Sequence, residues 1–362
     1  MPIDGRRRVR LALLTGMAAC APAAVAQPVG AQTPSDRDFA APIASAARSA
    51  VPVAGHPREV VPFTPSPLQR RPTRADALPR FWLDGRSCST GCRPGARAGW
   101  PLVPFRRQHA LRAGLNERRL ATMHIGVDIQ ARDGQNVYAI QGGRATIPQR
   151  SGGDSRVRVG SFEYWHVVPR VSPGQYVVPY RTVVGTIRSR YGHLHLSEVR
   201  GGRYLNPLRP GGRVLSPWVD RAPPVIGAPV RGFDGSVRVR AYDPQSFVVR
   251  TTYPTPVLAP AALAYRLRTV TGRPITPLRF ALRGSQHYAP SFITRIYTPD
   301  ARGGGFVCFA YHPRCTPNWH YRLAGGIAPK LPRLGPGRYK LTVYAWDWAG
   351  NASARDAPFV VR

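Results

Sequence analysis

The chain has 362 residues, a length that suits roughly two domains of about 150 residues each. It contains 39 Pro and 36 Gly, a composition that favours short strands and frequent turns and excludes a coiled coil or a helical bundle. The formal net charge is +34, from 52 basic and 18 acidic side chains, and the only lysines are Lys330 and Lys340. An arginine excess is as typical of a general compositional bias as of a polyanion partner, so the charge excludes a neutral surface without identifying what the protein binds.

Residues 1–26 have the pattern of a secretory signal peptide. Four arginines between Arg6 and Arg10 precede the apolar run LALLTGMAACAPAAVA, which ends at the small residues Ala24-Val25-Ala26. This run is shorter than the ~20 residues that a membrane-spanning helix needs, so we expect a protein exported to the medium or to the cell envelope. A lipid anchor on Cys20 is the weaker alternative, because the residue three positions earlier is Met17 instead of the usual Leu.

Residues 27–78 are rich in Pro, Ala, Ser and Arg and lack a sustained apolar period, which predicts a disordered linker. Beyond Cys20 the chain carries two local pairs of cysteines, which are Cys88 with Cys92 and Cys308 with Cys315. In an oxidising compartment such pairs predict two small-loop disulfides. A zinc knuckle at the first pair is the alternative, although no second Cys or His pair lies near it.

From about residue 79 the sequence predicts strands, because short runs of Val, Ile, Tyr and Trp are separated by Gly and Pro. The first series contains the runs NVYAI, RATI, RVRVGSFEYWHVV, YVVPYRTVVGTI and HLHLSEV. Adjacent prolines in residues 220–229 interrupt the pattern, and a second series extends from SVRVRAYD to RYKLTVYAWDWAGN. We therefore expect an all-β protein with one β domain in residues 79–216 and another in residues 222–362.

Four of the nine histidines lie between residues 124 and 195 of the first β domain, together with a spaced aspartate. His124 and Asp128 are four residues apart, and His193 and His195 are two apart. On an extended strand residues separated by two or four positions point to the same side, so each pair can converge on one point. The fourth histidine, His166, follows an aromatic run on another predicted strand. Several buried imidazoles in one small domain need partners, so we expect these histidines to share a functional site.

Two neutral imidazoles and one carboxylate, with a fourth position open to water, are the ligands of a catalytic zinc centre. Structural zinc sites are more often closed by thiolates. The sequence has no His-Glu-x-x-His helix, so a glutamate beside the ligands is not expected to serve as the base. The two histidines that do not bind the metal are the candidates for moving protons, because imidazole titrates near neutrality. Gly126, between His124 and Asp128, would leave room for a metal or a substrate near the backbone.

Three motifs occur in an order typical of one enzyme family. They are the segment His124-Ile-Gly126-Val-Asp128, the segment Tyr164-Trp165-His166 followed by Pro173-Gly174-Gln175, and the segment Gly192-His193-Leu194-His195. Together they resemble the motifs of the lysostaphin-type (LytM-type) zinc endopeptidases, which cut the peptides of bacterial peptidoglycan. The resemblance covers a core of about residues 100–210, and Asn206-Pro207 stands where the family usually has Asp-Pro.

The resemblance implies a role for each of the five residues. His124, Asp128 and His195 would hold one Zn²⁺ per chain, while His166 and His193 would activate water and stabilise the transition state. The implied fold is an antiparallel β-sheet domain with the family's duplicated hybrid motif. The implied function is that of a secreted peptidoglycan endopeptidase acting on stem peptides or cross-bridges. Neither the bond that is cut nor the imidazole that acts as the base follows from the motifs.

The sequence departs from the family pattern at three places. Residues 186–192, TIRSRYG, form a shorter loop than usual, Ser197 interrupts the usual aromatic-Glu ending, and Trp165 replaces a small residue. Inactive members of the family act as scaffolds, usually after losing zinc ligands, so a non-catalytic envelope-binding or scaffold protein is the alternative. All five residues are present here, which favours an enzyme. We assign Glu198 a structural hydrogen-bonding role.

The C-terminal run Gly335 to Asn351 resembles the final strands of bacterial immunoglobulin-like domains, which implies a β-sandwich over residues 222–362. Its extra length would lie in residues 300–335. Anionic cell-envelope polymers are a second class of partner that the arginines could bind, whereas no recognition helix or stacking platform indicates specific binding of nucleic acid. His287, His312 and His320 show no metal-ligand spacing, and the sequence does not predict an oligomeric state.

Overall fold

The computed structural model describes residues 68–76, 78, 98–119, 121–209, 215–246, 257–285, 287–301 and 319–361. The predicted signal peptide, Cys20 and both predicted disulfide pairs lie outside these residues. The helices in the described part of the chain all lack the length and the apolar character of a membrane-spanning segment.

The end of the predicted linker belongs to the folded structure. Gln69–Arg70 form a short strand, β1, which pairs antiparallel with the last strand of the chain, and a 3₁₀ turn follows at Arg74–Asp76. The buried carboxylate of Asp76 accepts hydrogen bonds from the Arg70 guanidinium at 2.7 and 3.0 Å and from the Tyr344 hydroxyl at 2.8 Å. The prediction of disorder is therefore wrong for residues 68–76, because the opposite end of the chain supplies the strand edge and the hydroxyl that order them.

The first part of the chain, residues 98–209, forms eleven strands within its described residues. All of these strands pair antiparallel. The strands are β2 (Leu111–Ala113), β3 (Val127–Gln130), β4 (Asn136–Tyr138), β5 (Gly143–Gln149), β6 (Arg156–Val159), β7 (Phe162–Trp165), β8 (Val167–Pro169), β9 (Tyr176–Val177), β10 (Val183–Ile187), β11 (His193–Arg200) and β12 (Arg203–Leu205). The larger sheet has the order β2-β3-β11-β7-β6-β5-β9, with β12 also paired to β11. A smaller sheet has the order β4-β10-β8.

The second part of the chain contributes two further antiparallel sheets. Its elements are β13 (Val225–Ile226), β14 (Val230–Arg231), β15 (Val237–Tyr242), β16 (Ala262–Thr269), β17 (Arg279–Arg283), a 3₁₀ turn (Pro290–Phe292), the one-turn helix α1 (Ile293–Ile296), β18 (His320–Ala324), β19 (Gly337–Trp346) and β20 (Ala352–Val361). One sheet has the order β1-β20-β19-β16-β17, and the other has β15 at its centre, paired with β13, β14 and β18. Side chains from both sheets share one hydrophobic cluster. The all-β prediction is confirmed at this level.

Local sequence explains why these strands form. The hairpin between β11 and β12 turns through Gly201-Gly202, whose φ angles are 54° and 72°. A two-residue hairpin turn of this kind needs positive φ at both positions, which glycine adopts without a steric penalty. Along β11 the side chains alternate, so that Leu194 and Leu196 enter the hydrophobic core while His193 and His195 occupy the opposite face.

The hydrophobic core crosses the segment where we expected a domain boundary. The cluster that contains Leu194 and Leu196 also contains Leu258, Tyr344 and Trp348 from the second part of the chain. All described residues belong to one compact unit. The two sets of sheets are therefore packed together through shared apolar contacts and are not merely tethered by residues 220–229.

Candidate functional site

The site is built on the face of the larger sheet that points away from the hydrophobic core. In the pairing of β11 with β3, His195 lies directly opposite Asp128, and in the pairing of β11 with β7 it lies opposite Trp165. Directly opposed residues of an antiparallel pair project to the same side, with Cβ atoms about 5 Å apart. The register alone therefore places a carboxylate and an imidazole next to each other.

His124 reaches the same point from a loop. It lies in irregular structure before β3, so the prediction that His124 and Asp128 share one strand is wrong. Two backbone hydrogen bonds hold it there, from Asn116 N to His124 O at 2.8 Å and from His124 N to Glu117 O at 2.9 Å. The four-residue spacing brings the two side chains together because the loop folds back onto the end of the strand.

The three side chains form one compact group. His124 Nε2 lies 2.9 Å from Asp128 Oδ1 and 2.7 Å from His195 Nδ1, and His195 Nδ1 lies 3.0 Å from Asp128 Oδ1. All three residues are buried, with 5–6 % of their surface exposed. One ligand atom from each lies within 4.8 Å of those of the other two, so this group could hold a metal ion.

The hydrogen bonds on the far side of each ring determine which nitrogen faces the group. His124 Nδ1 lies 2.8 Å from the Gly114 carbonyl oxygen, which can only accept, so Nδ1 carries the proton and Nε2 presents its lone pair. His195 uses Nε2 to contact the Ser197 hydroxyl at 2.9 Å and turns Nδ1 inward. Two ring nitrogens and a carboxylate oxygen thus converge on one point, an arrangement that suits a cation. The hydrogen bonds on the far sides of the two rings resemble those that orient metal-bound histidines.

His166 and His193 flank this group. The centroid of the His166 ring is 5.0 Å from that of His193 and 5.8 Å from that of His195, while His193 Nε2 lies 3.7 Å from Asp128 Oδ1. In both rings Nδ1 faces a carbonyl oxygen, that of Gly153 at 2.8 Å for His166 and that of Tyr191 at 2.6 Å for His193. Nε2 is therefore the unprotonated nitrogen of each neutral ring. The structure brings all five predicted residues together.

His166 does not lie within a strand, contrary to the prediction. It separates β7 from β8 and has a φ of 61°, in the left-handed region that a residue with a side chain rarely adopts. Its ring stacks on Tyr191, with centroids 4.4 Å apart and planes at 21°. A local backbone strain of this kind costs about 1–3 kcal/mol and is common at functional sites.

Burial controls the charge of the imidazoles. It lowers the pKa of His166 and of His195 to about 4 each, and it also lowers the pKa of His124 and that of His193. Burial by itself would raise the pKa of Asp128, but the neighbouring imidazoles of His124 and His193 hold it well below its usual range. At neutral pH the site therefore contains four neutral imidazoles and one carboxylate, the protonation states that metal binding requires.

Gly126 does not leave space for a ligand as expected. A Cβ atom built on Gly126 would lie 2.8 Å from His195 Nε2 and still closer to the carbonyl oxygen of Leu196. The glycine is needed because β11 and the His195 ring pack directly against this backbone. Its role is to allow β11 and the His195 ring to approach the backbone of Gly126 closely.

Three further residues of the site were not identified from the sequence. Arg119 Nη2 contacts Asp128 Oδ2 at 3.0 Å, Ser197 orients His195, and Tyr191 forms a wall beside His166. Nothing in the sequence distinguishes Arg119 from the many other arginines of the chain. Ser197 and Tyr191 were noted only as part of the departures from the family pattern, although Ser197 shares a strand face with both histidines of β11.

The segment 186–192, which we expected to be a short loop, begins inside β10, and a turn follows the end of that strand at Ile187. The carboxylate of Asp133 accepts hydrogen bonds from Arg190 N at 2.6 Å and from Gly192 N at 2.9 Å, which fixes the turn that presents Tyr191. Glu198 has the structural role that we expected, although it is buried: its carboxylate binds the Arg209 guanidinium at 2.5 Å.

No protein-family model matches the chain, and no curated protein matches it either. The likeness to zinc endopeptidases therefore depends on the short motifs that carry these five residues.

Proposed function

We propose that this protein is a zinc-dependent endopeptidase that hydrolyses peptide bonds in bacterial peptidoglycan outside the cytoplasm. The observation that carries the proposal is the convergence of His124, Asp128 and His195, with ligand atoms within 4.8 Å of one another, beside the imidazoles of His166 and His193. A set of residues that is needed only for packing would not require two more neutral imidazoles next to a metal-binding group.

The donor atoms favour zinc over the other common divalent ions. Two imidazole nitrogens and one carboxylate oxygen suit Zn²⁺, whereas Ca²⁺ and Mg²⁺ prefer oxygen alone. Three protein ligands leave a coordination position for water, as catalytic zinc sites do. A zinc ion held there would supply a Lewis acid that lowers the pKa of water and polarises the substrate carbonyl.

His166 and His193 supply the proton transfers in this proposal. Since each Nδ1 donates to a backbone carbonyl, each Nε2 can accept a proton from the attacking water. The imidazolium formed in this way can donate a hydrogen bond to the oxyanion and can then protonate the leaving amine. The stacking of Tyr191 on His166 and the carbonyl contact of His193 hold the two rings in place for these steps.

Arg119 orients the carboxylate of the metal group. Its contact with Asp128 Oδ2 occupies that oxygen and leaves Oδ1 facing the two histidines. The side chain is only 13 % exposed, so the ion pair is shielded from solvent and holds its geometry better than a surface pair would.

The remaining features of the proposal concern location and accessory parts. We propose that residues 1–26 are removed on export, that the two cysteine pairs are disulfides, and that the C-terminal sheets are an immunoglobulin-like sandwich that binds anionic envelope polymers. The two packed antiparallel sheets around one hydrophobic cluster support the sandwich architecture. Sequencing of the secreted protein should find Gln27 at its amino terminus.

The decisive experiment is incubation of the purified protein with peptidoglycan sacculi, with and without a zinc chelator. We expect release of cut stem peptides or cross-bridges, detected by mass spectrometry, and loss of that release in chelator, with recovery on addition of Zn²⁺. Binding to sacculi without any cleavage, with or without added zinc, would contradict the proposal and support a non-catalytic scaffold protein.

A further inference from the structure

A second group of converging side chains lies far along the sequence from the histidines. Asp220 lies in the segment that connects the two sets of sheets, Asp243 directly follows β15, and Asp347 directly follows β19. One carboxylate oxygen of each lies within 4.8 Å of those of the other two. Asp243 and Asp347 are 0 % exposed and Asp220 is 6 % exposed.

The surrounding backbone holds two of these carboxylates in position. Asp220 Oδ1 accepts hydrogen bonds from Ala222 N and Ser246 N, each at 3.0 Å. Asp347 Oδ1 accepts from Gly350 N at 2.6 Å and from Asn351 N at 2.7 Å. Amide donors of this kind favour the ionised form of a carboxylate and fix its orientation.

The third carboxylate, that of Asp243, has no such partners among the described residues. Both oxygens of Asp243 are buried and accept no hydrogen bond from the part of the chain that the structure describes, and the same holds for Asp220 Oδ2. Among the described residues, no basic side chain forms a salt bridge with Asp220, Asp243 or Asp347. Buried carboxylates with neither a counter-charge nor a donor are strongly unfavourable, and mutual repulsion adds to that cost. Asp243 thus presents two unsatisfied oxygens to a pair of carboxylates that are already fixed in place.

We infer that Asp220, Asp243 and Asp347 bind one Ca²⁺ ion. All the donor atoms are carboxylate oxygens, which select a hard cation and disfavour zinc. Ca²⁺ accepts six to eight oxygens at about 2.3–2.6 Å in flexible geometry, so ligands on opposite sides of the ion are about 5 Å apart. Mg²⁺ requires near-ideal octahedral geometry at about 2.0–2.1 Å, usually keeps several waters and is bound through one or two carboxylates, so it is the weaker match to three buried carboxylates.

The position of the group indicates what the ion would do. It would join the connecting segment to the ends of β15 and β19, at the junction of the two sets of sheets. Glu117 extends this junction toward the histidines: its Oε1 accepts from Ala259 N at 3.1 Å and from Gly114 N at 2.9 Å, and the carbonyl of Gly114 holds His124. The calcium site shares no ligand with the histidine group and does not depend on the proposed hydrolase activity.

The test uses the full-length protein after chelation, with zinc restored and calcium omitted. Titration with CaCl₂ should raise the melting temperature of the wild type by about 5 °C at a hundredfold excess over the dissociation constant. Elemental analysis after gel filtration should find one calcium per chain. Asp243→Asn should abolish both effects, whereas Asp234→Asn, at an exposed aspartate paired with Lys330, should keep them. His195→Ala should also keep them, which separates this site from the proposed zinc site.

Isothermal calorimetry with CaCl₂ on the chelated wild type provides a measurement that needs no variant. Binding of one ion with a heat signal supports the site even if Asp243→Asn does not fold. No calcium by elemental analysis, together with no heat and no change in melting temperature at millimolar CaCl₂, would overturn the inference. An equal or larger effect of MgCl₂ at the same concentration would overturn the assignment to calcium.

Discussion

Asp128 and His195 face each other across strands β3 and β11, with Asp128 Oδ1 and His195 Nδ1 3.0 Å apart. A shift of one residue in this register would move every side chain of one strand to the opposite face and would separate the two groups. The apolar neighbours Leu194, Leu196 and Val127 oppose such a shift, because it would remove them from the hydrophobic core. The hydrophobic core and the candidate metal-binding group therefore depend on the same strand pairing.

Replacement of a metal ligand should differ from replacement of a proton-transfer residue. His195→Ala removes one of the three proposed ligands, so we expect the loss of stoichiometric zinc by elemental analysis. His193→Ala leaves all three ligands, so we expect it to keep about one zinc per chain and to lose 10²-fold or more of the peptidase rate. His320→Ala, at a histidine paired with Asp300 far from the site in sequence, is the matched control and should change neither quantity. If His195→Ala still bound one zinc per chain, the ligand assignment would be wrong.

Ser197 should tune the affinity for the metal without binding it. Among the described residues, its hydroxyl is the only hydrogen-bond partner of His195 Nε2, and loss of such an outer hydrogen bond typically weakens metal binding 10–100-fold. We expect Ser197→Ala to raise the dissociation constant for zinc by about that factor, measured by competition with a chromogenic chelator. Ser189→Ala, at an exposed serine of the neighbouring loop, is the control. Equal affinities of the two variants would show that Ser197 does not position the ring.

Gly126→Ala should damage both stability and metal binding. The added Cβ would lie 2.8 Å from His195 Nε2, and the backbone of Leu196 would block its relief. Overpacking of this kind costs about 1–3 kcal/mol, which chemical denaturation can measure. Gly335→Ala has open space around the new Cβ and should be nearly neutral. An unchanged free energy of unfolding and unchanged zinc affinity in Gly126→Ala would show that β11 does not pack as tightly as described.

Glu117 should make the free energy of unfolding decrease as the pH rises. A carboxylate whose pKa is lowered by folding would have the opposite effect. Burial raises its pKa to about 7 in the folded protein, against 4.5 for the unfolded chain. The folded state therefore holds a proton that the unfolded state has lost, and this contribution to stability disappears as the pH rises from about 4.5 through about 7. The shift corresponds to about 3 kcal/mol.

Glu117→Gln should remove that dependence. We expect the free energy of unfolding of the variant, relative to the wild type, to increase by about 3 kcal/mol between pH 4 and pH 8, with both proteins measured by urea denaturation in chelator. All other groups titrate in both proteins, so the difference isolates Glu117. A difference that stays constant with pH would show that the Glu117 carboxyl ionises normally in the fold.

The positions of several strands along the chain could be predicted from the sequence. The runs NVYAI, RATI and HLHLSEV fall on β4, β5 and β11, because alternation along a strand is a local property of residues two positions apart. His193 and His195 share a face for the same reason. His124 and His166 also reach the site, but His124 lies in a loop and His166 has a left-handed backbone conformation. Neither conformation produces a periodic pattern in the sequence.

The contacts around the site could not be predicted in the same way. Arg119 approaches Asp128 because residues 116–124 fold back on themselves, and a chain with so many arginines does not distinguish one of them. Asp220, Asp243 and Asp347 are separated by 23 and by 104 positions, and each resembles a turn residue when the sequence is considered alone. Their proximity follows from the packing of β15 and β19 in different sheets of the second part.

The sequence by itself determined which chemical groups were available and which short segments would be extended, because both depend on residue type and on neighbours along the chain. The tertiary structure alone decided which nitrogen of each imidazole faces the carboxylate, that Gly126 serves packing and not ligand access, and that three distant aspartates are buried together. These properties depend on burial and on strand register, which arise from contacts between residues far apart in the sequence and have no local pattern that could reveal them.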